Sequence, residues 1–300
     1  MFPIIPANSI TAVARTQKAI FGFGYTGSYV SVTNLVSSSG VVADDTTGVG
    51  TAREKPGAAS YGGDKAIFAY GWTGSVSSLS NLVSNTGVVA TDVTGVGTAR
   101  RTPAAAGYGT DKAIFGYGSN GSNYSMTNLV SNAGVIASDV TGVGTARQAL
   151  AAAGYGTDKA IFGYGEPDTA ITNLVSNTGV VAADTAGVGT ARVQLAAASY
   201  GEDKAIFGYG YENAGSYVSM SNLVSNTGVV ADDVAGVGTA RSWPAAAAYG
   251  GDKAIFGYGW TGSYVSLTNL VSNVGVVADD TTGVGTATRT RAAAGYSTSA

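Results

Sequence analysis

Lys112-Ala-Ile-Phe-Gly-Tyr-Gly118, then Thr127-Asn-Leu-Val-Ser131, Gly134-Val-Ile-Ala137 and Gly142-Val-Gly-Thr-Ala-Arg147, make up one copy of a phrase that fills the chain. Its Lys-Ala-Ile-Phe opening begins at Lys18, Lys65, Lys112, Lys159, Lys204 and Lys253, at spacings of 47, 47, 47, 45 and 49 residues. Self-similarity at a fixed period of this length means one supersecondary unit repeated. Within the copy, Ala104–Tyr108 reads as a small-residue strand ending at the turn Gly109-Thr-Asp111. Lys112–Tyr117 is a second strand closed by Gly118, and a polar loop, Ser119–Ser122, leads to a third, Tyr124–Val130. Ser131–Gly134 is the next turn, and Val135–Ala137 opens a fourth strand.

Four short strands in a period of this size make a β-propeller blade. Solenoid turns use fewer residues and need capping repeats at both ends. Here the first copy starts at its second strand, Lys18, and the chain finishes on Arg291-Ala-Ala-Ala-Gly-Tyr296, a first strand without a successor. If that last piece joins the first copy, no sheet edge is left open at the seam. The expectation is an all-β, six-bladed β-propeller with four antiparallel strands per blade, closed by a C-terminal innermost strand. Residues 1–17 are expected to be an N-terminal extension and residues 18–300 the propeller. The Ala-rich runs suit crowded innermost strands, and the Ile114-Phe115 pairs suit the core between blades.

Composition narrows the chemistry. The chain has 300 residues, 45 of them Gly, with no Cys and no His. Disulfides, thiolate zinc sites and Cys nucleophiles are therefore absent, and so is the commonest general base. Net charge is −3 with 12% charged residues, which gives no basic stripe for a phosphate backbone. Met1-Phe-Pro-Ile-Ile-Pro6 carries no basic residue and two prolines, so it is not expected to act as a signal peptide. No apolar run reaches the length of a membrane span. A soluble protein is expected, without cofactor or metal, inserting in no membrane and binding no nucleic acid.

The order Arg100, small-residue strand, turn, apolar strand ending in Gly, variable loop, strand, turn and Arg147 resembles the kelch repeat over residues 18–296. The kelch double glycine appears as Gly116-Tyr117-Gly118, its third-strand Tyr is Leu129 and its fourth-strand Trp is Val135. The resemblance implies blades closed by a C-terminal innermost strand. The near-identical tandem copies also resemble repeat-rich proteins of tailed-phage virions, which implies association with a virion or tail.

Differences between copies concentrate in two places. The loop between second and third strands begins at Tyr25, Trp72, Ser119, Glu166, Tyr211 and Trp260. The second patch follows the repeated Arg: Glu54–Pro56, Arg101–Pro103, Gln148–Leu150, Val193–Leu195, Ser242–Pro244, and Thr290 with Arg291. In a kelch-like blade the two share one face, and a rigid scaffold with variable loops on one face is how binding surfaces are built. Unrestrained loop drift is the competing account. Tyr25, Trp72, Arg101, Tyr211, Trp243 and Trp260 are the candidate ligand-binding residues, expected exposed on that face. Aromatic rings with polar neighbours suit sugars or protein hot spots, unless they pack over their own blade. The expected role is non-catalytic recognition of a glycan or surface protein by a monomer. A structural or assembly scaffold is the alternative, and a glycan-processing enzyme the third choice.

Other signals carry less. Gly22-Phe-Gly-Tyr-Thr-Gly27 matches a dinucleotide fingerprint, but a strand follows where a helix is required. Asp44, Asp45, Asp92, Asp139, Asp184, Asp232, Asp233, Asp279 and Asp280 recur near the fourth strand, too scattered for a calcium site and expected to pair with the following Arg (Asp92 with Arg100, Asp139 with Arg147) or stay solvated. Arg53, Arg100, Arg147, Arg192 and Arg241 are expected to make blade contacts, with Thr288 breaking the series. Glu166, Asp168, Glu202 and Glu212 are the non-repeated acids, and nothing marks a tuned catalytic pair.

Overall fold

The computed structural model describes residues 15–212 and 214–300. The extension is thus described only from Arg15 onward, and the stretch read for a signal peptide lies outside the described residues. The fold is all-β, without a helix among those residues, and is β-propeller-like: six three-stranded antiparallel sheets. Named by inner, middle and outer strand, sheet 1 holds Ala292–Tyr296, Lys18–Tyr25 and Tyr29–Val36; sheet 2 holds Gly57–Tyr61, Lys65–Trp72 and Val76–Val83. Sheet 3 is Ala104–Tyr108, Lys112–Gly116 and Thr127–Val130; sheet 4 is Ala151–Tyr155, Lys159–Gly163 and Thr172–Val175. Sheet 5 is Ala196–Tyr200, Lys204–Tyr211 and Tyr217–Val224; sheet 6 is Ala245–Tyr249, Lys253–Trp260 and Tyr264–Val271. The last strand of the chain therefore pairs with the first, Lys18 opposite Tyr296 and Gly22 opposite Ala292.

Three strands per sheet, not four, is a correction. The segment read as a fourth strand forms two isolated bridges per repeat, Val36 with Val42 and Thr33 with Thr46 in the first. The two bridges are one residue out of register, so a continuous ladder cannot run through both. Side-chain bonds fill the gap: Asn34 Nδ2 donates to Ala43 O at 3.0 Å and to Asp45 Oδ1 at 2.8 Å. The third strand of sheet 3 is also shorter than expected, starting at Thr127 rather than Tyr124.

Turn and bulge chemistry explains the rest of the local geometry. Gly109 and Thr110 in the inner-to-middle turn both have positive φ, 58° and 71°. A Cβ on Gly109 would stand 2.9 Å from Asn177 O, so only glycine fits there. Each middle strand then brings an aromatic residue into the left-handed region: Phe23, Tyr70, Tyr117, Tyr164, Tyr209 and Tyr258, at φ 62–65°. For a side chain this costs roughly 1–2 kcal/mol. The turned ring is buried in return, Tyr117 lying edge-on to Phe162 of the next sheet at 5.1 Å. Ile and Phe do form the inter-sheet core: Ile114 packs with Phe162, and Phe115 with Ile67, all fully buried.

Three further sets of bonds tie each repeat to the next. Backbone bonds link the inner turns: Gly62 N to Asp111 O, Gly109 N to Asp158 O, Gly156 N to Asp203 O, and Gly201 N to Asp252 O. The series continues through Gly250 N to Gln17 O and Ser297 N to Asp64 O. Threonines form the second set, Thr51 Oγ1 donating to Asp92 at 2.6 Å, Thr145 to Asp184 at 2.7 Å, and Thr286 to Asp45.

The repeated arginines are the third set and are fully buried. Arg147 donates from Nε to Tyr164 O at 2.8 Å and from Nη2 to Asn173 Oδ1 at 2.6 Å. Its guanidinium lies 4.5 Å from the Tyr117 ring and 3.8 Å from Asp184. The expected pairing of each Asp with the following Arg is corrected: Asp92 faces Arg53 at 3.9 Å and Asp139 faces Arg100 at 4.0 Å. The reason is that Gly-Val-Gly-Thr-Ala crosses to the next repeat, carrying its Arg to that repeat's Asp.

At the seam, where Thr288 replaces the sixth Arg, Arg291 turns inward and stacks on Tyr258 at 4.1 Å. It was expected in the variable patch. It does not reach Asn34, whose Oδ1 stays buried without a partner, as do Arg291 Nε and Nη1.

Candidate functional site

The two variable patches meet through main-chain bridges in every repeat: Tyr25 with Arg289, Trp72 with Glu54, Ser119 with Arg101, Glu166 with Gln148, Tyr211 with Val193, and Trp260 with Ser242. Backbone pairing accepts any side chain, which lets these positions vary while the loops stay in register. Just inside them, Lys55, Thr102, Ala149, Gln194, Trp243 and Thr290 all hold positive φ, between 53° and 59°. Several join across sheets, Lys55 N donating to Thr290 O, Thr102 N to Lys55 O, and Trp243 N to Gln194 O.

None of the six candidate residues is fully exposed; all are half-buried. Each packs against a neighbouring ring or cation, of its own sheet or of another repeat. Trp72 donates from Nε1 to the Tyr29 hydroxyl at 2.9 Å. Tyr29 lies 5.6 Å from Tyr25, Tyr25 lies 6.2 Å from Tyr264, and Tyr264 lies 4.8 Å from Trp260. The Arg101 guanidinium sits 5.2 Å from the Trp72 ring. Arg289 sits among three rings, 4.9 Å from Trp260, 5.5 Å from Tyr25 and 5.8 Å from Tyr264. One band of aromatic and guanidinium groups thus runs from Arg101 and Trp72 through sheet 1 to Trp260.

Four of the six candidates, Tyr25, Trp72, Arg101 and Trp260, are brought together in this band. Trp243 lies apart, its ring 5.6 Å from Lys55 Nζ among the positive-φ residues. Tyr211 pairs with Tyr217 of its own sheet at 5.5 Å. Sequence reasoning missed Tyr29, Tyr264 and Arg289. Tyr29 and Tyr264 open outer strands and read as strand residues. Arg289 is masked by the irregular last repeat, where Thr288-Arg-Thr-Arg291 replaces the usual Arg-x-x-Pro/Leu. The band does not extend to sheets 3 and 4, which offer Ser119 and Glu166 where the others offer Tyr or Trp.

Two acids of these patches have side-chain partners. Glu54 is buried and accepts from Lys55 Nζ and Thr290 Oγ1, both at 3.2 Å. Glu166 accepts from Gln148 Nε2 at 2.9 Å. At the other end of the inner strands a cavity of about 180 Å³ is lined by Ser60, Gly107, Gly154 and Ser199, with Arg15 and Thr16 beside it. The repeated aspartates serve the junctions: burial pulls Asp184 upward, but hydrogen bonds from Thr145 and Asn173 outweigh it and hold the carboxyl below its usual range.

No protein-family profile matches the chain, and no curated protein matches it in sequence.

Proposed function

We propose that the six sheets are the blades of a closed, kelch-like six-bladed propeller whose variable-loop face is a non-catalytic recognition surface for a glycan or surface protein. Closure is supported by the pairing of Lys18–Tyr25 with Ala292–Tyr296, and by inter-repeat bonds that pass from the last repeat to the first at Thr286 and Gly250 and from the chain's last strand to the second sheet at Ser297. The recognition reading rests on one observation, the continuous band from Trp72 to Trp260. Large, preorganised rings offer contact area at low cost in side-chain entropy, and their faces suit the apolar faces of sugar rings. The band favours a glycan over a protein partner, and a virion- or tail-associated setting accords with the style of repetition. The test is binding to immobilised glycans by the wild type and by Trp72→Ala and Trp260→Ala, with melting curves to confirm folding. Reduced binding is expected, and equal binding by all three would remove the band from the site.

A second reading, an assembly scaffold, is favoured by a different feature. Val41, Val88, Val135, Val180, Val229 and Val276 occupy equivalent positions beyond the outer strands and are 63–65% exposed. An exposed apolar residue in every repeat would serve a lateral contact with other copies. Sedimentation at rising concentration separates the readings: a recognition module stays monomeric, and a scaffold self-associates.

A further inference from the structure

Trp72 and Arg101 stand in the same relation as Trp260 and Arg289. In both cases a Trp opens the loop of one repeat, and the Arg that covers its ring follows the repeat junction into the next sheet, pairing there with that sheet's loop. Sheet 1 joins the two pairs, contributing Tyr25, which is bridged to Arg289, and Tyr29, which accepts from Trp72. Neither Arg101 nor Arg289 has a carboxylate within ion-pair range among the described residues, whereas the repeated junction arginines Arg53, Arg100, Arg147, Arg192 and Arg241 do. Two acids of the variable patches are engaged elsewhere, Glu54 by Lys55 and Thr290 and Glu166 by Gln148. The face therefore presents two uncompensated guanidinium groups, each held against a tryptophan, with tyrosines between them.

Resting on the recognition reading above, we propose that this band binds an acidic oligosaccharide, with Arg101 and Arg289 each taking a sugar carboxylate while the neighbouring rings stack on the sugar faces. A guanidinium fork matches a carboxylate with two parallel hydrogen bonds, and a ring beneath it fixes the plane of the fork. Two equivalent Trp–Arg units, one spanning sheets 6 and 1 and the other sheets 2 and 3, read two charges along one chain, so a single acidic sugar binds less well than an oligomer. A neutral glycan would use the rings and leave both cations unanswered.

The experiment measures binding to matched pairs that differ only in charge: oligogalacturonate and its methyl ester, sialyllactose and lactose, hyaluronan oligosaccharide and its carboxyl-reduced form. The expected result is that at least one acidic member binds about tenfold or more tighter than its neutral partner, an advantage that shrinks as salt is raised. Arg101→Gln and Arg289→Gln should each abolish most of that difference between acidic and neutral members while the melting temperature stays unchanged. Should Arg289→Gln lower the melting temperature, Arg101→Gln, at the other end of the band, carries the test alone. Equal affinity within every pair overturns the acidic assignment and leaves glycan recognition standing. No binding to any member overturns both.

Discussion

Replacing Arg147 by Met tests whether the repeated arginines hold the repeats together. Met keeps an apolar stem over the Tyr117 ring but removes the donors to Asn173 Oδ1 (2.6 Å), Tyr164 O (2.8 Å) and Thr145 O (3.2 Å), and the cation 3.8 Å from Asp184. Each buried acceptor left without its donor costs about 1–3 kcal/mol, and breaking a buried charged pair costs about 3–5 kcal/mol in total. With unfolding entropy of about 2.1 cal/mol/K per residue, a chain of this size loses roughly 5–8 °C of melting temperature. Arg291→Met is the internal control. Its Nε and Nη1 already lack partners, and both of its remaining bonds, to Phe21 O at 3.4 Å and Val32 O at 3.1 Å, come from Nη2. Replacing a poorly satisfied buried cation by an apolar side chain is close to neutral or stabilising. Calorimetry should therefore show a clear drop for Arg147→Met and a change within about 2 °C for Arg291→Met. Equal shifts for the two variants, or no shift for Arg147→Met, would refute the argument that the hydrogen-bonded guanidinium, rather than apolar bulk, secures the junction.

The pH dependence of stability follows from the same junctions. Asp45, Asp92, Asp139, Asp184, Asp233 and Asp280 are all held below the usual value of 3.8, burial being outweighed by hydrogen bonds from the Thr and Asn partners. A depressed carboxyl stabilises the fold above its unfolded pKa and loses that contribution as pH falls through its folded value. Melting temperature should hold level down to about pH 5 and fall steeply below pH 4, with a shallower fall for Asp184→Asn. At the alkaline end, burial pushes Tyr117, Tyr209 and Tyr258 up to about 12, so unfolding should be favoured between about pH 10 and 12, where only the unfolded chain ionises. Phe162→Ala, removing a fully buried ring at the interface of sheets 3 and 4, should cost about 3–5 kcal/mol in denaturant unfolding, and a loss below about 1 kcal/mol would move it out of the core.

What could be read from sequence was what the period repeats. Inner and middle strands, the Ile-Phe core and the pairing of Ala292–Tyr296 with the first repeat all follow from alternation, turn residues and the offset between the chain's two ends. The fourth strand did not form a ladder because its bonding depends on a side chain, Asn34 and its equivalents, entering the gap between two bridges that are out of register. Alternation alone carries no sign of that. The Asp–Arg pairing was read within one repeat when the geometry runs between repeats. Arg291 was misplaced because a period comparison assigns it to the patch position, while the vacant Arg site beside Tyr258 draws it inside. The band was legible in part, through its loop aromatics. Its tyrosines from the strands and Arg289 required the third dimension.

The contrast between variable and constant loops weighs less for recognition than the sequence suggests. The turns that hardly change are fixed by structure. A Cβ on Gly134 would stand 2.8 Å from the Tyr61 ring, and one on Gly228 2.9 Å from Tyr155, each ring belonging to the preceding sheet. The adjacent Asn side chains bond the Asp of the inner turn, as Asn177 does Asp158 and Asn226 does Asp203, both at 3.0 Å. Those turns cannot drift without loosening a junction, whatever the other face does. The variable loops are tied in every repeat by main-chain bridges, while their side-chain contacts differ from repeat to repeat, so their residues can change. Variation there needs no ligand to explain it. What drift does not account for is the recurrence of one Trp–Arg arrangement across sheets 6 and 1 and across sheets 2 and 3, built each time from residues of two different repeats. The case for a binding face therefore rests on that coincidence of ring and cation.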